Sequence, residues 1–171
     1  MSKQARGAQA VEAKAERRAP LLPNAHEEPY GKPLVVLSAR TARMQGARAL
    51  CQALQGEASL GLLALCDADS PTCAPEALRR AACATVEEAA AILRCWQCEL
   101  RAPRVLCLCA HGRDVQAAHA AGAQALGVYE EAQEPASLLK ADALARGMNE
   151  AQALCRHFCR TGEVGGAARR S

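Results

Sequence analysis

Residues Val105 to Val128 read VLCLCAHGRDVQAAHAAGAQALGV, and this stretch decides the fold. It opens on an unbroken apolar run, Val105-Leu106-Cys107-Leu108-Cys109, as expected of a strand buried on both faces of a parallel sheet. A polar turn, Ala110 to Arg113, follows. Asp114 is placed for a helix N-cap, and Val115, Ala118 and Ala121 recur at helical spacing. Gly122 stands where a helix stops, and Ala125 to Val128 begins a second apolar strand. Strand, helix and strand in so few residues make a compact βαβ unit.

The same alternation extends outward. Leu34 to Ser38 is an apolar strand, and a helix is predicted from Thr41 to Leu54 with Gly56 as its stop. Leu60 to Cys66 reads as another strand. Pro75 suits the first turn of a short helix running through Cys83. Thr85-Val86-Glu87-Glu88 matches a capping box and opens a helix with Val86, Ala90, Leu93 and Leu100 inward. Beyond the central unit, Pro135 starts a helical turn and Ala141 to Ala145 reads as a brief edge strand. Met148 to Arg160 is an amphipathic helix with Met148, Ala151, Cys155 and Phe158 on its apolar face. The expected fold is α/β: a doubly wound, mainly parallel sheet of four to five strands, with an extended N-terminal arm. Residues 1–33 form that arm, broken by Pro20, Pro23, Pro29 and Pro33. Residues 34–160 form the domain, and residues 161–171 a flexible basic tail.

Composition narrows the function. Half of the 171 residues are apolar but only 2% are aromatic, so the core is built from Ala, Leu, Val and Cys. Base-stacking platforms need aromatic side chains, and the net charge of +3 is scattered without a stripe, so nucleic-acid binding is not supported. No apolar run reaches the length of a membrane span, and the start lacks the apolar core of a secretory signal. An intracellular chain with ten cysteines is expected to keep them reduced, as small apolar residues. The basic start allows a mitochondrial destination, although Glu12 and Glu16 count against a targeting segment.

The central stretch resembles the C-terminal half of haloacid dehalogenase-like (HAD-like) phosphatases. There an apolar strand ends in Gly-Asp, a second Asp follows four residues later, and an Ala-rich helix closes with Ala-Gly. Leu34 to Ser38 resembles the family strand that ends in a phosphate-binding Ser or Thr. Thr72-Cys73-Ala74-Pro75 resembles the segment beginning with the family's Lys-Pro, and Lys140 to Leu144 its final strand. The resemblance spans about residues 34–159. By it, Ser38 and Asp114 match functional positions, whereas Cys109-Ala110 stands in place of Gly-Asp and Thr72 in place of Lys. The nucleophilic Asp-x-Asp belongs on a strand before Leu34, and residues 1–33 contain no Asp. Without that strand, Leu34–Ser38 and Arg104–Cys109 are expected to pair directly, in a flavodoxin-like order. Phosphoryl transfer rests on positioning and charge neutralisation, and Mg²⁺ needs several oxygen ligands. The resemblance therefore implies a HAD-like frame without catalytic residues, cofactor or metal. That describes an accessory or scaffolding subunit of a larger protein assembly, with a mitochondrial complex as the first expectation, docked partly through the 1–33 arm.

Two alternatives stay open. Asp67-Ala68-Asp69 follows a strand, where α/β sites occur, and would make a Mg²⁺-dependent phosphatase with Asp67 as nucleophile and Asp69 as acid. Ordinary turn chemistry explains the same residues. Cys95 and Cys98 have CxxC spacing, and a zinc or redox module would recruit Cys155, His157 and Cys159, or Cys107, Cys109 and His111. Against this, the pair falls near the C-terminal end of its helix, where the dipole opposes a thiolate. His111 and His119 flank the Asp114 turn and helix, and surface roles are favoured for both.

Overall fold

The computed structural model describes residues 31–65 and 79–165. Six parallel strands form one sheet: β1 (Leu34–Ser38), β2 (Ser59–Leu65), β3 (Arg79–Cys83), β4 (Val105–Cys109), β5 (Gln124–Tyr129) and β6 (Ala143–Arg146). Their spatial order is β3-β2-β1-β4-β5-β6. The helices are α1 (Ala47–Leu54), α2 (Val86–Glu99), α3 (Gly112–Ala120) and α4 (Gly147–Thr161). The strands β1 and β4 pair directly, with Leu34 opposite Val105 and Leu37 opposite Leu108. Every residue of both strands is buried, as their continuous apolar runs require of central strands.

Each face of the sheet has its own core. On one face α1 and α4 place Leu50, Leu54, Cys155 and Phe158 against Val35, Leu37, Leu106 and Leu126. On the other, α2 and α3 place Ala89, Leu93, Trp96 and Ala118 against Val36, Cys107 and Ala125. The chain moves from β1 to β2 in one direction and from β4 to β5 in the other. Putting α1 and α3 on opposite faces therefore gives both crossovers the same hand, as parallel units demand.

Small residues set the spacing between layers. Gly61 of β2 lies under the Trp96 ring, and a Cβ there would stand 2.8 Å from Cζ3. Trp96 is thereby almost wholly buried in a core otherwise nearly free of aromatics. The α3 helix ends as its sequence suggests. Gly122 takes φ 75°, its N–H donates to His119 O, and the Ala123 N–H donates to Ala118 O. That is the paired bonding of a glycine-terminated helix, and it delivers the chain into β5.

Several expectations are corrected. The sheet has six strands rather than four to five. The additional one, Arg79–Cys83, occupies residues read as the end of a helix, and it forms by pairing with β2 at the sheet edge. Its two arginines are good helix formers but also suitable guards of an exposed edge. The helix predicted from Thr41 to Leu54 is divided. Thr41–Arg43 forms a 3₁₀ turn, and α1 begins only after Gly46, whose left-handed backbone cannot lie within a helix. Asp114 is not the N-cap of α3. His111 holds that position, and Asp114 is the third helical residue. At the other end, the described residues beyond α4 stay packed. Val164 is buried, its N–H donates to Gln124 Oε1 at 2.9 Å, and Gln124 Nε2 donates to Gly162 O at 2.6 Å.

Candidate functional site at the carboxyl edge

Strands β1 and β4 are the switch point of the sheet, since their onward connections run in opposite directions. Ligands of open α/β folds bind outside the carboxyl ends of such strands. Here that edge is formed by the segment after Ser38, the turn after Cys109 and the segment after Tyr129. Between them lies a cleft of about 520 Å³ lined by Arg40, Arg43, His111, Tyr129, Glu130 and Glu131, among others. A neighbouring cleft, also of about 520 Å³, shares Glu130 and reaches Arg146 and Asn149.

The two residues that match functional positions of the HAD-like pattern both reach this edge, where Ser38 and Asp114 line a small cavity of about 20 Å³. Each is bonded into the protein itself. Ser38 is 8% exposed; its hydroxyl donates to Thr41 Oγ1 at 3.1 Å and accepts from the Thr41 N–H at 3.3 Å. The Thr41 hydroxyl, fully buried, donates to Ser38 O at 2.8 Å and approaches Leu108 O at 3.5 Å, tying the segment after β1 to β4. Asp114 accepts through one oxygen from the N–H groups of Ala110 (3.0 Å) and His111 (3.2 Å). A carboxylate in the first turn of α3 also complements the helix dipole. Ser38 and Asp114 thus hold the two loops in shape, with Thr41 as the companion that sequence reading overlooked.

The strand order is that of dinucleotide-binding sheets, whose first βα turn carries closely spaced glycines so that backbone can approach a pyrophosphate. The corresponding segment here, Ala39 to Gly46, holds a single glycine at its last position and not a closely spaced set.

The remaining candidates that the structure describes lie apart in space. Asp67, Asp69 and Thr72 lie outside the described residues; β2, which leads toward them, is separated from β4 by β1. His119 is bonded to Asp142 Oδ2 at 2.9 Å, and Asp142 also accepts from the Ala125 N–H, so this pair ties α3 to β5 at the edge opposite the cleft. Cys107 and Cys109 belong to one face of the sheet and Cys155 to the other, so these thiols do not converge. Among the described residues, no three His, Cys, Asp or Glu side chains are grouped to hold a metal ion. All eight described cysteines are free thiols. Burial pushes Cys51 up to about 11 and, with a contribution from the nearby Asp114 charge, Cys107 up to about 12. Cys95 and Cys98 are exposed on α2, and the Cys95 thiol donates to Glu99 Oε1, which raises its pKa and disfavours a thiolate.

The cleft residues Arg40, Tyr129, Glu130 and Glu131 were not singled out in the sequence. Their signal was positional: each lies at or just beyond the carboxyl end of a strand. No family model, curated protein or solved structure matches this chain. No helix among the described residues is long and apolar enough to cross a membrane.

Proposed function

We propose that this chain is a non-catalytic α/β domain with a HAD-like ancestry, acting as an accessory or scaffolding subunit within a larger protein assembly. The observation that carries the reading is the engagement of Ser38 and Asp114. A phosphate-binding hydroxyl must offer its proton to the ligand, and a metal-binding carboxylate must offer its lone pairs to the ion. The Ser38 proton is directed to Thr41, and one Asp114 oxygen accepts two backbone N–H groups. Together with Ala110 in the place of a carboxylate, this makes the loops rigid while leaving the chemistry unsupplied. The 1–33 arm is the natural docking segment, and a mitochondrial assembly fits its basic start.

Two measurements test the reading. The native protein, isolated at moderate salt, is expected to run with partner subunits; elution as a free monomer counts against a scaffolding role. The purified chain is expected not to hydrolyse p-nitrophenyl phosphate with Mg²⁺. Turnover abolished by Asp67→Asn would establish the phosphatase alternative instead.

A further inference from the structure

The large cleft has no part in the scaffolding role, and its walls are chemically unlike each other. Arg40, exposed at the end of β1, has no ion-pair or side-chain hydrogen-bond partner among the described residues. Glu130, just past β5, likewise leaves its carboxylate without a partner there, since only its backbone N–H is engaged, by Glu131 Oε2. The two charges follow β1 and β5, the strands on either side of β4, and opposite charges lining one cleft favour a ligand that carries the complement of each, the more so between concave walls. Here the gap is about 520 Å³, within the range that holds a metabolite-sized molecule. Half-buried Tyr129 also lines the cleft.

We infer that this cleft binds a small two-ended organic anion. Its phosphate or carboxylate group faces Arg40, and its hydroxyl or ammonium donors face Glu130. Arg40 recognises the anion because a guanidinium presents several donors to oxygens in one plane. Glu130 selects against simple anions, since an inorganic ion held at Arg40 brings no second end to reach this carboxylate and its charge is repelled by it. The site lies beside the Ser38–Asp114 network and uses neither residue, so occupancy is compatible with loops whose catalytic positions serve structure.

The test is amide NMR of the full chain titrated with glycerol 3-phosphate, O-phosphoserine and inorganic phosphate. Resonances of Ala110 to Arg113 and Tyr129 to Glu131 are expected to shift. At least one two-ended probe should bind about tenfold or more tightly than inorganic phosphate. Arg40→Gln should weaken every probe by about tenfold, while Glu130→Gln should remove the advantage of the two-ended ones. Both side chains are exposed, so the variants are expected to keep the wild-type spectrum elsewhere. The inference is overturned if no probe moves these amides at about 10 mM, or if binding is indifferent to Arg40→Gln. It is likewise overturned if inorganic phosphate binds as well as both two-ended probes. Release of phosphate from a probe would refute the non-catalytic reading without touching the cleft. Binding without release leaves both standing.

Discussion

Replacing Asp114 separates a structural carboxylate from a catalytic one. In the folded chain its Oδ2 receives two backbone N–H groups, from Ala110 and His111, at the junction of β4 and α3. Asp114→Ala strands both donors beside a half-buried turn. Losing a helix-start acceptor costs about 0.5–2 kcal/mol, and losing a negative charge near the dipole about 0.3–1 kcal/mol more. The sum is about 2 kcal/mol. For a domain of this size each kcal/mol lowers Tm by about 3–4 °C, so calorimetry should show a fall of about 6–8 °C. Asp114→Asn keeps one acceptor oxygen and loses only the charge, so its fall should be less than half as large. A metal-ligand carboxylate behaves in the opposite way, because carboxylates gathered for an absent ion repel one another and removing one stabilises the protein. An Asp114→Ala variant as stable as the wild type, or a wild-type Tm that rises with Mg²⁺ while the variant's does not, would refute the capping role.

Three further outcomes are expected. Gly61→Ala pushes a methyl group into the Trp96 ring and should destabilise by about 1–3 kcal/mol, with a shift in fluorescence from the single tryptophan. Gln124→Ala removes the two bonds that tie the turn at 162–164 to β5, so the Val164 amide should exchange with solvent markedly faster while β4 stays protected. The buried thiols give a falling alkaline limb of stability. Their folded pKa values lie above the ordinary 9.0, so folding favours the neutral thiol; that contribution is complete below pH 9.0 and is lost as pH rises through about 11 to 12. Denaturant midpoints measured from pH 8 upward should therefore decline, and Cys51→Ala should flatten part of the slope. A constant midpoint to about pH 11 would show that burial does not hold these thiols neutral.

The parts of the fold that the sequence made legible were those whose signals are local. The β4-α3-β5 unit carries its apolar runs and its glycine stop within one stretch, and α4 shows its buried stripe at regular spacing. Direct pairing of β1 with β4 followed from comparing the two strands with a known pattern and finding the strand between them missing. Strand β3 was illegible because Arg79-Arg80-Ala81-Ala82-Cys83 favours a helix, and only pairing with Gly61 to Leu65 makes it extended. The division of the 41–54 helix depended on Gly46, whose left-handed backbone no spacing announces. The cleft was hidden for a related reason. Arg40 and Glu130 are ninety residues apart in number and are brought to one edge only by the strand order. Ser38 and Asp114 were found by pattern, but what their oxygens bond to is a matter of loop geometry.

The central position of β1 also governs how the chain is completed during synthesis. It is the first strand among the described residues, yet it needs β2 on one side and β4 on the other, and Leu34 meets Val105 only across about seventy intervening residues. Until β4 leaves the ribosome, the backbone N–H and C=O groups along one edge of β1 have no strand partner. A nascent chain halted anywhere between β3 and β4 thus presents an open strand edge, the state in which chaperone capture or aggregation is most favourable. Release of the segment through Cys109 closes that edge and moves the open one to β4, where β5 and then β6 extend the sheet in chain order.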